Sequence, residues 1–320
     1  MALYVNTNVT SLRGQASLNK ASNSLVTTYN RLSTGLRINS AKDDAAGLQI
    51  SDRLTSQING LNQGNRNAND GIALTQTVEG AMDEMTTMLQ RIRTLSVQAA
   101  NGTNTTNDRA SIQAEVTSLS SEITRIACKT TYAGKTVLSG FDDASKSIVG
   151  KGNGAKVNFQ VGANSNDTLQ LDLQLRKKDG SLDADTKNYS LSSLMIAAGI
   201  TVNNDKKSNS TASFKSGSNI VFDVSNSKSA QATLANIDAV INVIDSKRGD
   251  FGALQNRMES TISNQTNIAN NETDARSRIR DTDYATEASN LSAQSIVQQA
   301  ASSMLTQANS LPQLALSLLG

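Results

Sequence analysis

The fold is decided by residues 74–99, LTQTVEGAMDEMTTMLQRIRTLSVQA. Apolar residues recur in this stretch at alternating spacings of three and four, namely at Leu74, Val78, Ala81, Met85, Met88, Ile92, Leu95 and Ala99. A mean spacing of 3.5 residues places these side chains in one narrow stripe along a helix, which is the pattern of coiled-coil packing. The stretch therefore predicts a long helix from about residue 70 to residue 100.

Three further series repeat this spacing. They are Ile112, Val116, Leu119, Ile123 and Ile126; Leu234, Ile237, Ile241 and Ile244; and Val297, Ala301, Met304, Ala308, Leu311, Ala315 and Leu318. A weaker heptad near the N-terminus consists of Leu18, Leu25 and Leu32, and Gly35 is placed to end that helix. Because helices occupy both ends of the chain, we expect the two ends to pair antiparallel.

The middle of the chain has a different pattern. From about Gly134 to Ser229 it contains short alternating runs typical of strands, at Val157–Val161, Leu169–Leu175 and Ile220–Phe222, separated by Gly-rich turns such as 150–154 and 179–180. Four of the five Phe residues lie here, which predicts a small core of its own. The predicted fold class is mainly α: a long coiled-coil-like helical bundle from paired N- and C-terminal segments, with a β-rich insert in the middle of the chain.

The composition excludes several classes of function. The 320 residues include no His and a single Cys, Cys128, so neither a His-based catalytic triad nor a His-ligated metal nor an intrachain disulfide can form. The formal net charge is +2, with no long basic run that would indicate nucleic-acid binding. We expect no catalytic residues, cofactor or metal, no membrane segment and no ordinary cleaved signal peptide.

The terminal helices carry narrow stripes that are rich in Ala, Ser and Gln. Only 37% of the chain is hydrophobic and only 3% is aromatic, so such helices bury little apolar area against each other. Ordering a backbone costs about 1–2 kcal/mol for each residue, so we expect these helices to need partners from other subunits. The candidate self-assembly residues are Leu18, Leu25, Leu32, Val297, Ala301, Met304, Ala308, Leu311, Ala315 and Leu318.

Several longer motifs resemble a known family. They are 6–9 (NTNV), 32–47 (LSTGLRINSAKDDAAG), 159–164 (FQVGAN), 255–257 (QNR), 275–279 (ARSRI), 281–285 (DTDYA) and 307–309 (QAN). Together they resemble bacterial flagellin over about residues 1–175 and 230–320, while 176–229 matches no motif. The resemblance implies a structural protein that self-assembles into the extracellular flagellar filament for motility and is secreted unfolded through the flagellar type III export apparatus.

The resemblance also implies a division of the chain into domains and a set of partners. Residues 1–44 and 279–320 would form the inner tube of the filament, 45–175 and 230–278 the outer tube, and 176–229 a variable, surface-exposed β-rich insert. The expected partners are further copies of the chain, an export chaperone, the filament cap and the hook–filament junction proteins. Nucleic acid and membrane are not expected partners.

A second resemblance concerns Arg91, Leu95, Gln98 and Glu115. They match positions at which flagellins of several bacteria engage an innate immune receptor of animals, although Thr94 stands where many relatives have an acidic residue. Leu95 also belongs to the apolar series, so packing in the core is an alternative reason for its presence. In the filament this surface is expected to make subunit contacts, so recognition would require monomers.

Other features have ordinary structural explanations or remain open. Asp281-Thr282-Asp283 has the D-x-D form of a metal site, but Arg276, Arg278 and Arg280 lie close enough in sequence to neutralise it. Cys128 is predicted to lie on the exposed side of its helix, and it is either native or introduced as a labelling site. Two alternatives to a filament subunit are a junction protein of the same apparatus, which forms only a short adaptor ring, and a surface-modifying enzyme within 140–230.

Overall fold

A computed structural model describes residues 7–139, 147 and 148, 156–175, 189–200, 213–216 and 219–317. The helices are α1 (Val9–Thr34), α2 (Ala45–Ala100), α3 (Thr106–Lys129), α4 (Leu191–Ala197), α5 (Ser227–Arg280) and α6 (Tyr284–Ser317). The strands are β1 (Thr131–Tyr132), β2 (Lys135–Thr136), β3 (Lys156–Gln160), β4 (Thr168–Asp172), β5 (Ser213–Ser216) and β6 (Asn219–Phe222). The predicted class, mainly α with strands in the middle of the chain, is confirmed.

The chain forms two compact units. The terminal unit combines Met1–Asn59 with Asn267–Gly320, and the central unit is Gly60–Thr266. The domain boundaries predicted from sequence, after residues 44 and 278, lie close to the start of α2 at Ala45 and the end of α5 at Arg280.

The central unit is built around one apolar cluster to which α2, α3 and α5 contribute. On α2, the side chains of Met82, Met85, Leu89 and Ile92 have no exposed surface. Ala81 and Met88, which the 3.5-residue series placed in the seam, are only partly buried. The buried face is therefore wider than the predicted narrow seam, because the helix packs against neighbours on more than one side.

The described strands form three antiparallel hairpins, β1 with β2, β3 with β4 and β5 with β6, and Thr136 of β2 also forms an isolated parallel bridge with Ser147. Strands β3 and β4 confirm the sequence prediction, with Phe159 opposite Leu169 and Val157 opposite Leu171. The segment that follows β3 lies directly against α2. A Cβ at Gly64 would overlap the carbonyl oxygen of Val161, and Asn67 Nδ2 donates a hydrogen bond to Gln160 O at 2.8 Å. Glycine on this face of α2 is thus what allows the backbone of the hairpin to approach the helix.

The described part of the middle stretch corrects two expectations. It contains a helix, α4, that the strand pattern did not predict. Tyr189, Leu194 and Phe222 have no exposed surface and belong to the same cluster as Met85, so this stretch does not have a core of its own. The predicted turns at 150–154 and 179–180 lie outside the described residues.

The terminal unit consists of α1, α6 and the adjoining ends of α2 and α5. Helix α1 begins at Asn8, whose side chain accepts a hydrogen bond from Ser11 N, and ends at Gly35 with φ +72°. This left-handed conformation suits glycine, which confirms the predicted end of the helix. The chain after Gly35 runs beside the end of α5, where Arg37 N donates to Arg280 O at 2.6 Å.

Candidate assembly surface

Helices α1 and α6 pack antiparallel. At one end of the pair, Asn8 Nδ2 donates a hydrogen bond to Ala308 O at 2.8 Å. Towards the other end, Thr28 Oγ1 donates to Gln294 Oε1 at 3.3 Å. Residue numbers rise along α1 while they fall along α6, so the predicted antiparallel pairing of the chain ends is confirmed.

The face between these helices is narrow and contains small side chains. Ala21 and Leu25 of α1 and Ala308 of α6 are buried. The helices approach closely at Gly14, where a Cβ would lie 3.3 Å from Leu305 Cδ1. The pair therefore buries few apolar atoms, as the Ala-rich stripes predicted.

The solvent-exposed sides of α1 and α6 present large apolar side chains. They are Val9, Leu12, Val26 and Tyr29 on α1 and Tyr284, Ile296, Val297 and Met304 on α6. Met304 is 69% exposed and Val297 is 53% exposed. Singly exposed apolar residues are common, but eight of them on two paired helices indicate an interaction surface. We call this set the outer stripe.

The structure divides the predicted α6 seam between two faces. Ala301 is half-buried and Ala308 is buried against α1, whereas Val297 and Met304 point away from α1 and belong to the outer stripe. The positions that follow Val297 and Met304 in sequence, Gln298 and Leu305, are half-buried instead. A 3.5-residue series cannot show which of its members meet the partner helix of the same chain, so this division is known only from the structure.

The remaining candidate self-assembly residues fall into two groups. Leu18 and Leu32 are half-buried on α1, with Leu25 buried between them. The side chains of Leu311 and Ala315, and the whole of Leu318, lie outside the described residues.

Polar side chains also cross the α1–α6 pair. Ser11 Oγ donates a hydrogen bond to Asn309 Oδ1 at 2.6 Å. Arg31 Nη1 lies 3.8 Å from Glu287 Oε1, and the Glu287 side chain is only 7% exposed. Sequence reasoning missed Arg31 and Glu287 because both interrupt an apolar pattern. The signal that could have found them is a pair of opposite charges on facing stripes of antiparallel helices.

The acidic residues near the helix ends have structural roles. Asp283 precedes α6 and accepts hydrogen bonds from Thr286 Oγ1 and from Ala285 N, which hold the pKa of its carboxyl below its ordinary value. Asp43 accepts from Ser40 N and Asn39 N, and these bonds lower its pKa in the same way. Asp44 accepts from Gly47 N in the first turn of α2. These carboxylates cap chain turns, so they are already engaged with the backbone.

The described residues contain no group of three or more His, Cys, Asp or Glu side chains that could hold a metal ion. Arg278 Nη2 lies 2.8 Å from Asp274 Oδ2, one turn earlier on α5. As for membranes, the helices described here do not combine the length and apolar character needed to cross a bilayer.

The residues that match the receptor motif lie on α2 and α3. Arg91 Nη2 and Glu115 Oε1 form an ion pair at 2.7 Å between the two helices, and both side chains are about half exposed. Gln98 is also exposed, but Leu95 is only 2% exposed and belongs to the central core. The structure thus brings Arg91 and Glu115 together on the surface and places Leu95 beneath it.

Cys128 lies near the end of α3 and is half-buried. The helical position two residues after Ile126 predicted an exposed thiol. Because Ile126 is itself only partly buried and Ala127 is fully buried, the core face of α3 is broader than the series suggested. The prediction of a freely exposed Cys128 is therefore wrong.

Comparisons with known proteins match both ends of the chain. Residues 5–143 match the model of the bacterial flagellin N-terminal helical region, and residues 234–319 match that of the C-terminal helical region. The chain is 38% identical to Flagellin D of Vibrio anguillarum and 36% identical to Polar flagellin B/D of Vibrio parahaemolyticus, each alignment covering both chains completely. A solved structure of a putative flagellar hook-associated protein from Vibrio parahaemolyticus shares the fold, with a TM-score of 0.53 at 16% identity over 75% of this chain and all of the other.

Proposed function

The chain belongs to the bacterial flagellin family, so it is a structural subunit of the flagellar filament and not an enzyme; we propose that its outer stripe is the surface through which the terminal helices join neighbouring subunits. In this proposal, residues 1–44 and 279–320 form the inner tube of the filament. Residues 45–175 and 230–278 form the outer tube, and 176–229 face the medium. The observation that supports this proposal is that Val297 and Met304 are exposed on α6, although another face of that helix already packs against α1.

The proposal includes a route out of the cell. Subunits travel unfolded through the flagellar type III export apparatus, bound beforehand by an export chaperone, and fold at the tip of the extracellular filament beneath its cap. The single free thiol supports this route, because a chain without disulfides can be unfolded and refolded without redox chemistry. The terminal unit supports it as well, since its thin apolar interface costs little to open.

Polymerisation of truncated chains tests the assembly role. Chains lacking 1–40 or 285–320 should fail to extend filament seeds, because they lose one side of the α1–α6 pair. The middle of the chain should stay folded, and we expect a protease-resistant fragment near residues 45–280. Truncated chains that extend the seeds, or a middle region that is wholly digested, would contradict the proposal.

A junction protein is the second candidate function. The shared fold with the putative hook-associated protein favours it, although at 16% identity the likeness extends only to the fold. The full-length similarity to Vibrio flagellins favours the filament subunit. Negative-stain microscopy of the purified, seeded chain separates them: a filament subunit yields long tubes, and an adaptor yields none.

We also propose that the free monomer is recognised by an animal innate immune receptor through the surface that contains Arg91, Gln98 and Glu115. These three side chains are exposed on neighbouring helices, and the Arg91–Glu115 ion pair fixes two of them. Leu95 supports this surface from the core and is not available as a direct contact while the core is intact.

Receptor-reporter cells exposed to monomers would test this recognition. Arg91→Ala and Glu115→Ala should each weaken the response. The matched control is Arg125→Ala, which removes the partner of Glu122 in an exposed pair on α3 with a 2.6 Å separation. Equal loss in the control, or full response in both test variants, would overturn the proposal. Intact filaments should be less active than monomers at equal protein mass.

A further inference from the structure

Helix α6 has two apolar stripes, and only one of them faces α1. The inner stripe contains Leu291, Ala301, Leu305 and Ala308, with Gln294 and Gln298 between them. On α6 the outer stripe contains Ile296, Val297 and Met304, which lie in solvent. A turn of α6 by one residue, about 100°, would exchange Leu291 and Leu305 for Val297 and Met304 against α1, at little change in the apolar surface buried. Apolar packing alone therefore does not explain the observed setting.

The ion pair between half-buried Arg31 and buried Glu287 distinguishes the two settings. Glu287 and Leu305 are 18 residues apart, which is five full turns, so they share one face of α6. The same spacing relates Met304 to Thr286. Turning Met304 inward would therefore move Glu287 away from Arg31 and place a neutral threonine beside it. Arg31, whose side chain is 31% exposed, would then lose the carboxylate that α6 places beside it.

We propose that Arg31 and Glu287 select the rotational setting of the α1–α6 pair and thereby keep the outer stripe free for neighbouring subunits. The pair acts through specificity and not through net stability, since a buried ion pair contributes little net free energy but penalises arrangements that separate it. Buried polar residues in coiled coils fix register by the same principle. The inference rests on the proposed role of the outer stripe in assembly.

Cross-linking can report which stripe faces α1. In a Cys128→Ser background, the Gly14→Cys/Leu305→Cys chain tests the observed setting, because a Cβ at Gly14 would lie 3.7 Å from Leu305 Cβ, a distance suited to a disulfide. The Gly14→Cys/Met304→Cys chain tests the turned setting. Each double-cysteine chain is assembled into filaments together with an excess of Cys128→Ser chains, and the filaments are then oxidised. Mass spectrometry of the digested protein measures the fraction of chains that contain the intrachain disulfide.

The expected result is a change in which disulfide forms. With Arg31 present, only the Leu305 disulfide should form. Arg31→Ala leaves Glu287 buried without a cation, so the Met304 disulfide should rise by at least about tenfold while the Leu305 disulfide falls. The swap Arg31→Glu/Glu287→Arg should restore the original pattern. Arg278→Ala, which breaks an exposed pair within one helix, is the matched control and should change neither disulfide.

Three outcomes would overturn the inference. One is an Arg31→Ala chain that loses the Leu305 disulfide without gaining the Met304 disulfide, because that would mean the pair only stabilises. Another is a charge swap that does not restore the pattern. The third is failure of both Arg31→Ala and the swap to enter the polymer. If the Cys128→Ser chains themselves do not polymerise, the failure lies with the proposed function and not with the ion pair.

Discussion

The central and terminal units use the same helical pattern in opposite ways. Among the residues that the structure describes, ten of the eleven exposed large apolar side chains lie in the terminal unit, with Val97 as the exception, while the apolar cluster lies within the central unit. The central unit buries its large apolar side chains against one another, whereas the terminal unit leaves many of its own in solvent. This difference is what we expect if the central unit folds on its own and the terminal unit is completed by further copies of the chain, as proposed above.

The largest effect on the soluble chain should come from the central core. Leu89→Ala removes a fully buried side chain, so we expect the free energy of unfolding to fall by about 2–5 kcal/mol. Val97→Ala, on the exposed side of the same helix, should change it by less than about 0.5 kcal/mol. Urea denaturation measures both. Equal losses of stability in Leu89→Ala and Val97→Ala would contradict the assignment of one face of α2 to the core and the other to solvent.

Two glycines of α2 should respond in opposite directions to alanine. Gly64→Ala drives a Cβ into the backbone of Val161, so it should lower the free energy of unfolding by about 1–3 kcal/mol. Gly80→Ala meets no atom within 4 Å and should raise it by up to about 1 kcal/mol, because alanine favours the helix. Urea denaturation of both variants is again the measurement. Stabilisation by Gly64→Ala would show that the hairpin does not approach α2 closely.

A smaller effect should follow from pH at Asp108. Its carboxyl accepts hydrogen bonds from Thr105 Oγ1 and Thr105 N at the start of α3, and these bonds hold its pKa below the ordinary value of 3.8. A lowered folded-state pKa stabilises the fold above the ordinary value, and this contribution is lost as pH falls through the folded-state pKa. Asp108→Asn should therefore lower the thermal midpoint at neutral pH and have less effect in strong acid.

Asp283→Asn is the matched variant in the terminal unit, since Asp283 caps α6 and its pKa is lowered by similar hydrogen bonds. Calorimetry over the same pH range should show no change in the unfolding transition of the central unit. If Asp283→Asn moves that transition as far as Asp108→Asn does, the two units do not unfold separately.

The sequence predicted the positions of the long helices more reliably than it predicted which face of each helix is buried. The series beginning at Leu74 correctly placed a helix, but it put Ala81 and Met88 in the seam, whereas Met82 and Leu89 are the fully buried residues. A spacing of 3.5 residues shows that an apolar stripe runs along the helix. How wide the buried face becomes depends on which elements pack against that helix in the folded chain. For the same reason the series that joins Val297 and Met304 to Ala301 and Ala308 could not separate the residues that face α1 from those that are exposed.

Other features depended on contacts between segments far apart in the chain. Helix α4 is too short to show a helical period in its sequence. The need for glycine at position 64 of α2 is evident only from the close approach of the hairpin to that helix. Arg31 and Glu287 are 256 positions apart, so their pairing depended on the relative alignment of two helices. By contrast, Gly35 was predictable because a helix end with positive φ is a local requirement.

The most direct test of the account is Met304→Asp, because it changes an exposed residue that we assign to the subunit interface. The free chain should keep its thermal midpoint, since the new carboxylate remains in solvent. Burial in the polymer would cost about 3 kcal/mol at each addition, which raises the critical concentration more than about a hundredfold. Sedimentation of seeded filaments should therefore show almost no growth of the variant at concentrations where the unaltered chain polymerises fully. Normal growth with an unchanged midpoint would contradict the assignment of the outer stripe to assembly.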